Sequence, residues 1–257
     1  MNIVACVKQI LDTTDVRFDA DTHFVKREGQ ATTINSLDEY AVEEGLRLKE
    51  QHGGTVTVLT MGPAQAADTI KHAIAMGADE AVHVSDPALA GSDCYATAKA
   101  LAHALAKMGE VDLVICGAES VDGNTAYVGQ ALAALLQVPH VTFVCKIEQL
   151  AEGKMTVQRL MEEGYDRLEV SLPAVITVVK AINEPRISSL KGKMRAKKFQ
   201  PKTMALADLG LAADQVGTAG STARVLRTFP PVPRPSGVIF DGEPDEIAEK
   251  LYRALKG

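Results

Sequence analysis

Short apolar runs alternate with longer amphipathic stretches along the first half of the chain. Runs at Ile3 to Lys8, Thr55 to Met61, Glu80 to Val84 and Asp112 to Cys116 have the length and β-branched content of strands buried on both faces. Between them lie helical patterns at Leu37 to Gln51, Ala64 to Met76, Ser92 to Met108 and Asn124 to Leu136. In the first helix Ala41, Leu46 and Leu48 supply the apolar face and Glu43, Glu44, Lys49 and Glu50 the wet one. Gly53-Gly54 stops it. Alternation at this spacing predicts right-handed βαβ crossovers, hence an α/β fold with a doubly wound, mostly parallel sheet.

After Pro139 the pattern changes. Val141 to Ile147, Met155 to Leu160 and Arg167 to Lys180 are strand-like without intervening helices, and Glu163-Gly164 has the composition of a hairpin turn. These strands are expected to extend one edge of the sheet antiparallel. Asn183 to Lys202 is polar and basic. Gly210 to Gly237, with Gly, Ser, Thr and four prolines, reads as an extended arm with too little apolar content to fold alone, and a helix from Pro244 to Leu255 follows it. The expected division is a nucleotide-binding α/β domain at 1–185, a recognition loop at 186–202, and a C-terminal arm and helix at 203–257. Such an arm implies a partner to lie on.

Composition narrows the function. The chain has 257 residues, no Trp and a net charge of −6, which argues against general nucleic-acid binding. No run approaches the ~20 apolar residues of a membrane span, and Met-Asn-Ile-Val-Ala-Cys opens as a strand rather than a signal peptide, so a soluble cytoplasmic protein is expected. Cys6, Cys94, Cys116 and Cys145 are widely spaced with no C-x-x-C pair, as expected of buried small residues in a reducing compartment. The six histidines are scattered and read as structural or solvated.

Parallel sheets bind ligands at the carboxyl ends of their strands, near the point where strand order reverses. Four segments are expected to meet there. Cys6 and Lys8 end the first strand, the small residue admitting a flat ring and the lysine serving a phosphate. Asn35 to Asp38 precede a helix, where Ser36 or Asp38 would also serve as an ordinary N-cap. Met61 ends the next strand before Gly62-Pro63. The loop Gly117-Ala-Glu-Ser-Val-Asp-Gly-Asn-Thr-Ala-Tyr-Val-Gly129 follows the fourth strand. In it Gly117 permits a sharp turn, Gly123 close backbone approach, and Asn124, Thr125, Ala126 and Val128 would lie at a helix N-terminus, with Asp122 beside them. The loop is neither G-x-G-x-x-G nor a Walker loop. No serine elbow, paired acid and base, oriented histidine or metal-ligand spacing accompanies it, so the site binds without an evident catalyst. Separately, Leu190 stands among Lys191, Lys193, Arg195, Lys197 and Lys198. This is either a solvated basic face or an apolar anchor steered by charge onto an acidic partner.

Together these residues resemble the β (small) subunit of electron transfer flavoproteins over essentially the whole chain. The resemblance rests on Val7-Lys8, Asn35 and Ala41-Val-Glu-Glu-Gly-Leu-Arg-Leu-Lys49, on Gly62-Pro-Ala-Gln65 with Ala75-Met-Gly-Ala-Asp79, and on a signature. That signature comprises Val157-x-Arg159, Glu162-Glu-Gly164, Leu168, Pro173-Ala-Val-Ile-Thr177 and Asn183-Glu-Pro-Arg186, with Asp166 where Glu or Gln is usual. The resemblance implies a Rossmann-like adenine-nucleotide-binding sheet and pairing with an α subunit that holds FAD. It also implies a recognition-loop leucine, Leu190, that docks into acyl-CoA dehydrogenase or a similar flavin dehydrogenase.

For the nucleotide in this subunit the resemblance leaves two branches. Ordinary members hold a structural AMP and typically carry a second acidic residue after the Asp matched by Asp122. Electron-bifurcating relatives hold FAD there, use NADH as donor, and have a loop resembling Asp-Gly-Asp-Thr-Ala-Gln-Val-Gly-Pro. Asp122-Gly-Asn-Thr-Ala-Tyr-Val-Gly129 is nearer the second form, departing at Asn124, Tyr127 and Gln130. Removing a carboxylate beside a pyrophosphate also removes like-charge repulsion, so FAD is the expectation and AMP the alternative. A stand-alone adenine-nucleotide enzyme or sensor is the contrasting reading.

Overall fold

The apolar runs are strands of a nine-stranded sheet, seen in a computed structural model that describes residues 1–12, 31–226 and 236–256. In chain order the elements are β1 (Asn2–Cys6), β2 (Gln9–Leu11), β3 (Thr32–Ile34), α1 (Ser36–His52), β4 (Thr55–Met61), α2 (Ala67–Met76), β5 (Glu80–Val84), α3 (Cys94–Met108), β6 (Leu113–Gly117) and α4 (Val128–Leu136). There follow β7 (His140–Ala151), β8 (Lys154–Met161), β9 (Gly164–Ser171), β10 (Ala174–Val178), α5 (Leu190–Lys198), β11 (Lys202–Met204), α6 (Leu206–Leu209), α7 (Gly217–Gly220) and α8 (Pro244–Lys256). The sheet order is β11-β5-β4-β1-β6-β10-β7-β8-β9, while β2 and β3 form a separate antiparallel pair.

Alternation along each central strand builds two core layers. Ile3 and Ala5 of β1, with Leu113 and Ile115 of β6, face the layer shared with α1 and α2. Val4, Cys6, Val114 and Cys116 face the layer shared with α3 and α4. A strand buried on both faces has no polar side to show, which is why these runs are continuous rather than alternating. From β1 the chain winds outward through β4 and β5, then crosses back to place β6 on the other side of β1. That reversal opens a crevice at the carboxyl ends of β1 and β6.

The antiparallel edge is β7-β8-β9. Its second turn is Glu162-Glu163, since Met161 pairs with Gly164, one residue earlier than expected. The run Arg167 to Lys180 is not one edge strand. It breaks at a cis Leu172–Pro173 bond, and β10 returns to the interior, parallel to both β6 and β7. All five β10 residues are buried, as a central strand requires.

The polar C-terminal region also differs from expectation. Within residues 186–202 the segment Leu190–Lys198 is helical, and Ser189 Oγ accepts from Gly192 N at 3.0 Å and caps it. Residues 203–225 belong to the same compact unit as the sheet, Met1–Val225. β11 pairs with β5, and Leu206, Leu209, Leu211 and Val216 enter the second core layer one at a time. The Asp93 carboxylate accepts from Ala96 N, Thr222 N, Thr222 Oγ1 and Ala223 N at 2.7–2.8 Å, so one side chain caps α3 and holds the trailing segment. Gly217 has φ +59°, and a Cβ there would lie 2.2 Å from Ala88 O. Few apolar residues suffice here because the surface they dock on already exists. The arm's four prolines lie outside the described residues, as does His23. In the second unit, Leu226–Gly257, α8 is amphipathic and exposes Leu251, Tyr252 and Leu255.

Candidate functional site: the crevice at the ends of two central strands

Lys8 follows β1 directly, and its ammonium reaches the loop after β6. Nζ donates to Asp122 Oδ1 at 2.6 Å and to Ser120 Oγ at 3.0 Å. Beneath it, α1 ties the two strand ends together. Asp38 Oδ2 accepts from Lys8 N at 2.7 Å, and Asp38 Oδ1 from Asn35 Nδ2 at 2.9 Å. Asn35 spans the gap, donating also to Glu119 O at 2.9 Å and accepting from Val121 N at 3.1 Å through Oδ1. Neither Ser36 nor Asp38 caps α1: Asn35 occupies that position without a side-chain cap bond, and the Asp38 carboxylate is committed to the crevice floor.

Burial pushes the Asp38 carboxyl up to about 7, against hydrogen bonds from Asn35, Lys8 N and Gly117 N and the Lys8 charge, which pull it down. Gly117 is required for a different reason than a turn. It is the last residue of β6, and a Cβ there would lie 2.3 Å from Asp38 Oδ1 and 2.9 Å from the Leu37 carbonyl carbon. The glycine lets α1 close onto β6. Gly129 does the same at the start of α4, where a Cβ would meet Thr177 Cγ2 at 2.4 Å.

The loop is longer than expected and the helix shorter. Ser120 O accepts from Gly123 N at 3.1 Å and Asn124 N at 2.8 Å, closing a tight turn around Asp122. Asn124 and Ala126 then take left-handed backbone, φ 46° and 48°, so α4 begins at Val128 rather than Asn124. The helix N-terminus is therefore presented by Val128 and its successors. At Gly123 a Cβ would meet Ser120 Oγ at 3.4 Å, an ordinary contact. Thr125 Oγ1 accepts a weak bond from Cys94 Sγ at 3.3 Å. Gln130 Nε2 donates to Ala126 O at 2.6 Å, while its buried Oε1 has no partner among the described residues. A ligand hydroxyl reaching that oxygen would satisfy it.

Cys6 and Cys116 are register partners on adjacent strands. The Cys116 thiol is pushed well above its usual range by its hydrogen bond with Cys6 and by burial in the second core layer. Met61 ends β4 half-buried against the second core layer. The backbone after it is pinned by Gly62 N to Val84 O at 3.0 Å and by His83 Nε2 to Gly62 O at 3.1 Å. Lys8, Asn35, Asp38, Gly117 and Asp122 are thus directly interlinked. Met61 shares the strand ends without touching that network. Sequence reasoning passed over Ser120, although it stands inside the loop, and Gln9, whose Nε2 donates to Thr32 Oγ1 and Gln65 O at 2.9 and 2.8 Å.

A second polar cluster buttresses α1. Arg186 donates to Glu43 Oε2 at 2.8 Å and Glu50 Oε1 at 2.6 Å, and Arg47 donates to Glu43 Oε1 at 2.7 Å. Burial would raise the Glu43 carboxyl, but the Arg186 and Arg47 bonds outweigh it and hold the group below its ordinary value. Asn183 Nδ2 donates to Tyr40 O at 3.0 Å and Glu44 Oε2 at 2.9 Å. The Asn183 to Arg186 segment is thereby fixed on α1 and leads into α5. On α5 Leu190 is 77% exposed, with Lys191 and Lys193 exposed beside it. Arg195 is exposed as well, and its guanidinium donates to Ile74 O at 3.5 Å and to Ala78 O at the end of α2.

The model for the electron transfer flavoprotein domain matches residues 22–209. The chain belongs to this family. The electron transfer flavoprotein β subunit of Thermoanaerobacterium thermosaccharolyticum is 42% identical over 256 residues, covering 99% of this chain and 98% of that one. The caffeyl-CoA reductase-Etf complex subunit CarD of Acetobacterium woodii is 40% identical over 259 residues, covering 100% and 98%. Protein FixA of Azotobacter vinelandii is 37% identical over 265 residues, covering 99% and 94%. The family match covers Asn35, Asp38, the Gly117 to Gly129 loop, the buttress and α5, while Cys6 and Lys8 precede it. Among the described residues no helix is long and apolar enough to cross a membrane.

Proposed function

We propose that this chain is the β subunit of a heterodimeric electron transfer flavoprotein and holds an adenine nucleotide, FAD, in the β1/β6 crevice. The observation that carries the reading is the convergence of Lys8, Ser120 and the turn around Asp122 on one point at the topological switch. Bound flavin would supply redox chemistry that no side chain of the crevice offers. The chain's own part is to bind and orient: Lys8 and the loop amides hold phosphate, Asn35 and Asp38 fix the loop to β1, and the Gln130 carboxamide receives a hydroxyl. The absence of a second carboxylate directly after Asp122, where Gly123 stands, favours the longer dinucleotide over AMP.

The α subunit covers β and carries its own FAD. Leu190, with Lys191 and Lys193, is the anchor for a flavin dehydrogenase such as an acyl-CoA dehydrogenase. The loop Asp122-Gly-Asn-Thr-Ala-Tyr-Val-Gly129 supports the branch in which NADH is the donor and electrons divide between two flavins. The setting is the cytoplasm. Coexpression with the α subunit, followed by quantification of released FAD and AMP, tests the reading. Two FAD per heterodimer supports it, one FAD with one AMP returns the chain to the ordinary branch, and a colourless, nucleotide-hydrolysing monomer overturns it.

A further inference from the structure

Strand β7 carries one residue too many where it pairs with β10. Val141 lies opposite Ile176 and Val144 opposite Val178, so Thr142 and Phe143 together face Thr177 alone. Val141 and Val144 both enter the first core layer, and the extra residue turns Phe143 out of it, 37% exposed. Its backbone is left-handed, φ 53°, which phenylalanine rarely adopts. Phe143 N donates to Thr177 Oγ1 at 3.1 Å and pins the bulge to a buried threonine. Thr177 is in register with Cys116 of β6, and it is the residue onto which Gly129 closes at the start of α4. Phe143 therefore stands level with the carboxyl ends of β6 and β10, beside the helix that the Gly117 to Gly129 loop leads into. Bulges commonly re-aim a side chain next to a site.

We propose that Phe143 is a specificity-determining residue of the crevice: its ring packs on the isoalloxazine ring of a flavin dinucleotide whose phosphates lie at Lys8 and the loop after β6. The inference rests on the FAD reading of the crevice. β7 is two strands beyond β6, about 10 Å along the strand ends. The second phosphate and five-carbon ribityl chain of FAD cross a distance of this order, whereas AMP ends at its single phosphate. A flat ring arriving there finds an apolar aromatic side chain on a pinned backbone, and stacking adds affinity without charge. Contacts at Lys8 serve both ligands alike. Phe143 is reached by the dinucleotide alone.

The test is equilibrium binding of FAD and AMP to the complex with the α subunit after release of its β nucleotide. It compares wild type with Phe143→Ala, Phe143→Leu, Phe143→Tyr and Phe143→Gly. Phe143→Ala is expected to weaken FAD about fivefold and to leave AMP unchanged. Phe143→Tyr should keep wild-type FAD binding, and Phe143→Leu should not. Phe143→Gly, which accepts left-handed backbone, separates the ring from the fold: it should hold or raise the urea midpoint of the complex while weakening FAD as Phe143→Ala does. FAD binding unchanged in the Ala and Gly variants, or AMP weakened equally, overturns the proposal. Release of the α subunit by Phe143→Ala with FAD affinity intact also overturns it, by placing the ring at the subunit interface. If wild type binds AMP but not FAD, or neither, the FAD reading itself fails and takes this inference with it.

Discussion

Two ion-pair sites on this molecule use the same chemistry for opposite ends. At the crevice rim, Lys8 and Asp122 meet at 2.6 Å with both side chains substantially open to water. Along α1, Arg186 and Glu43 meet at 2.8 Å, but Glu43 is only 3% exposed and shares its oxygens with Arg47. The first pair is open to water and screened by it. The second is a fixture, because removing Arg186 would take one of two arginines from a nearly buried carboxylate. Helix α1 connects them: Asp38 in its first turn pins the crevice, and Glu43, Glu44 and Glu50 on its body hold the segment that carries α5. Burial, more than distance, separates the two pairs.

The contrast is sharpest at Asp38, the buried member of the rim. Its folded carboxyl keeps a proton to about pH 7, whereas an unfolded one ionises near 3.8. The folded state therefore binds more protons in between, and Asp38's contribution to stability is full below pH 4 and lost as pH rises through 7. Its upper bound is roughly 4 kcal/mol. Asp38→Asn should flatten the fall in urea midpoint between pH 4 and 7; an unchanged slope would remove Asp38 from the floor. Next in size, Glu43→Ala should cost about 2 kcal/mol, discounted because Arg186 is one-third exposed. A loss below 0.5 kcal/mol, measured by urea unfolding, would erase the distinction between rim and buttress. Asp122→Asn should change stability by no more than about 0.5 kcal/mol, and a larger loss in a thermal scan would make the rim pair structural. Smallest of all, Leu190→Ala should leave the melting temperature unchanged. The same variant should slow reduction by the dehydrogenase about tenfold, and unaltered coupling would take the docking role from α5.

Most of the crevice was legible because its parts are local. Runs buried on both faces place β1, β4, β5 and β6 within a residue or two, and the loops after them follow from the parallel topology. The order of β10 was not legible, because Ala174 to Val178 is equally compatible with an edge or a centre until its neighbours are known. Left-handed backbone at Asn124 and Ala126 has no dependable signature in residues other than glycine, so the helix was expected four residues too early. Arg195 reads as one more exposed cation, and only the approach of α5 to α2 shows that its guanidinium also caps a helix. Residues 203–225 were read as an arm for a similar reason. Their sparse leucines and Val216 matter only against a surface built by distant segments.

The central claim is that the crevice of this chain, with Lys8 at its head, holds a nucleotide of its own. It is tested most directly by the nucleotide content of the purified heterodimer carrying Lys8→Met. The expected result is loss of most of the nucleotide assigned to this subunit while the FAD of the α subunit remains at one per heterodimer. A complex that retains both at wild-type stoichiometry would contradict it.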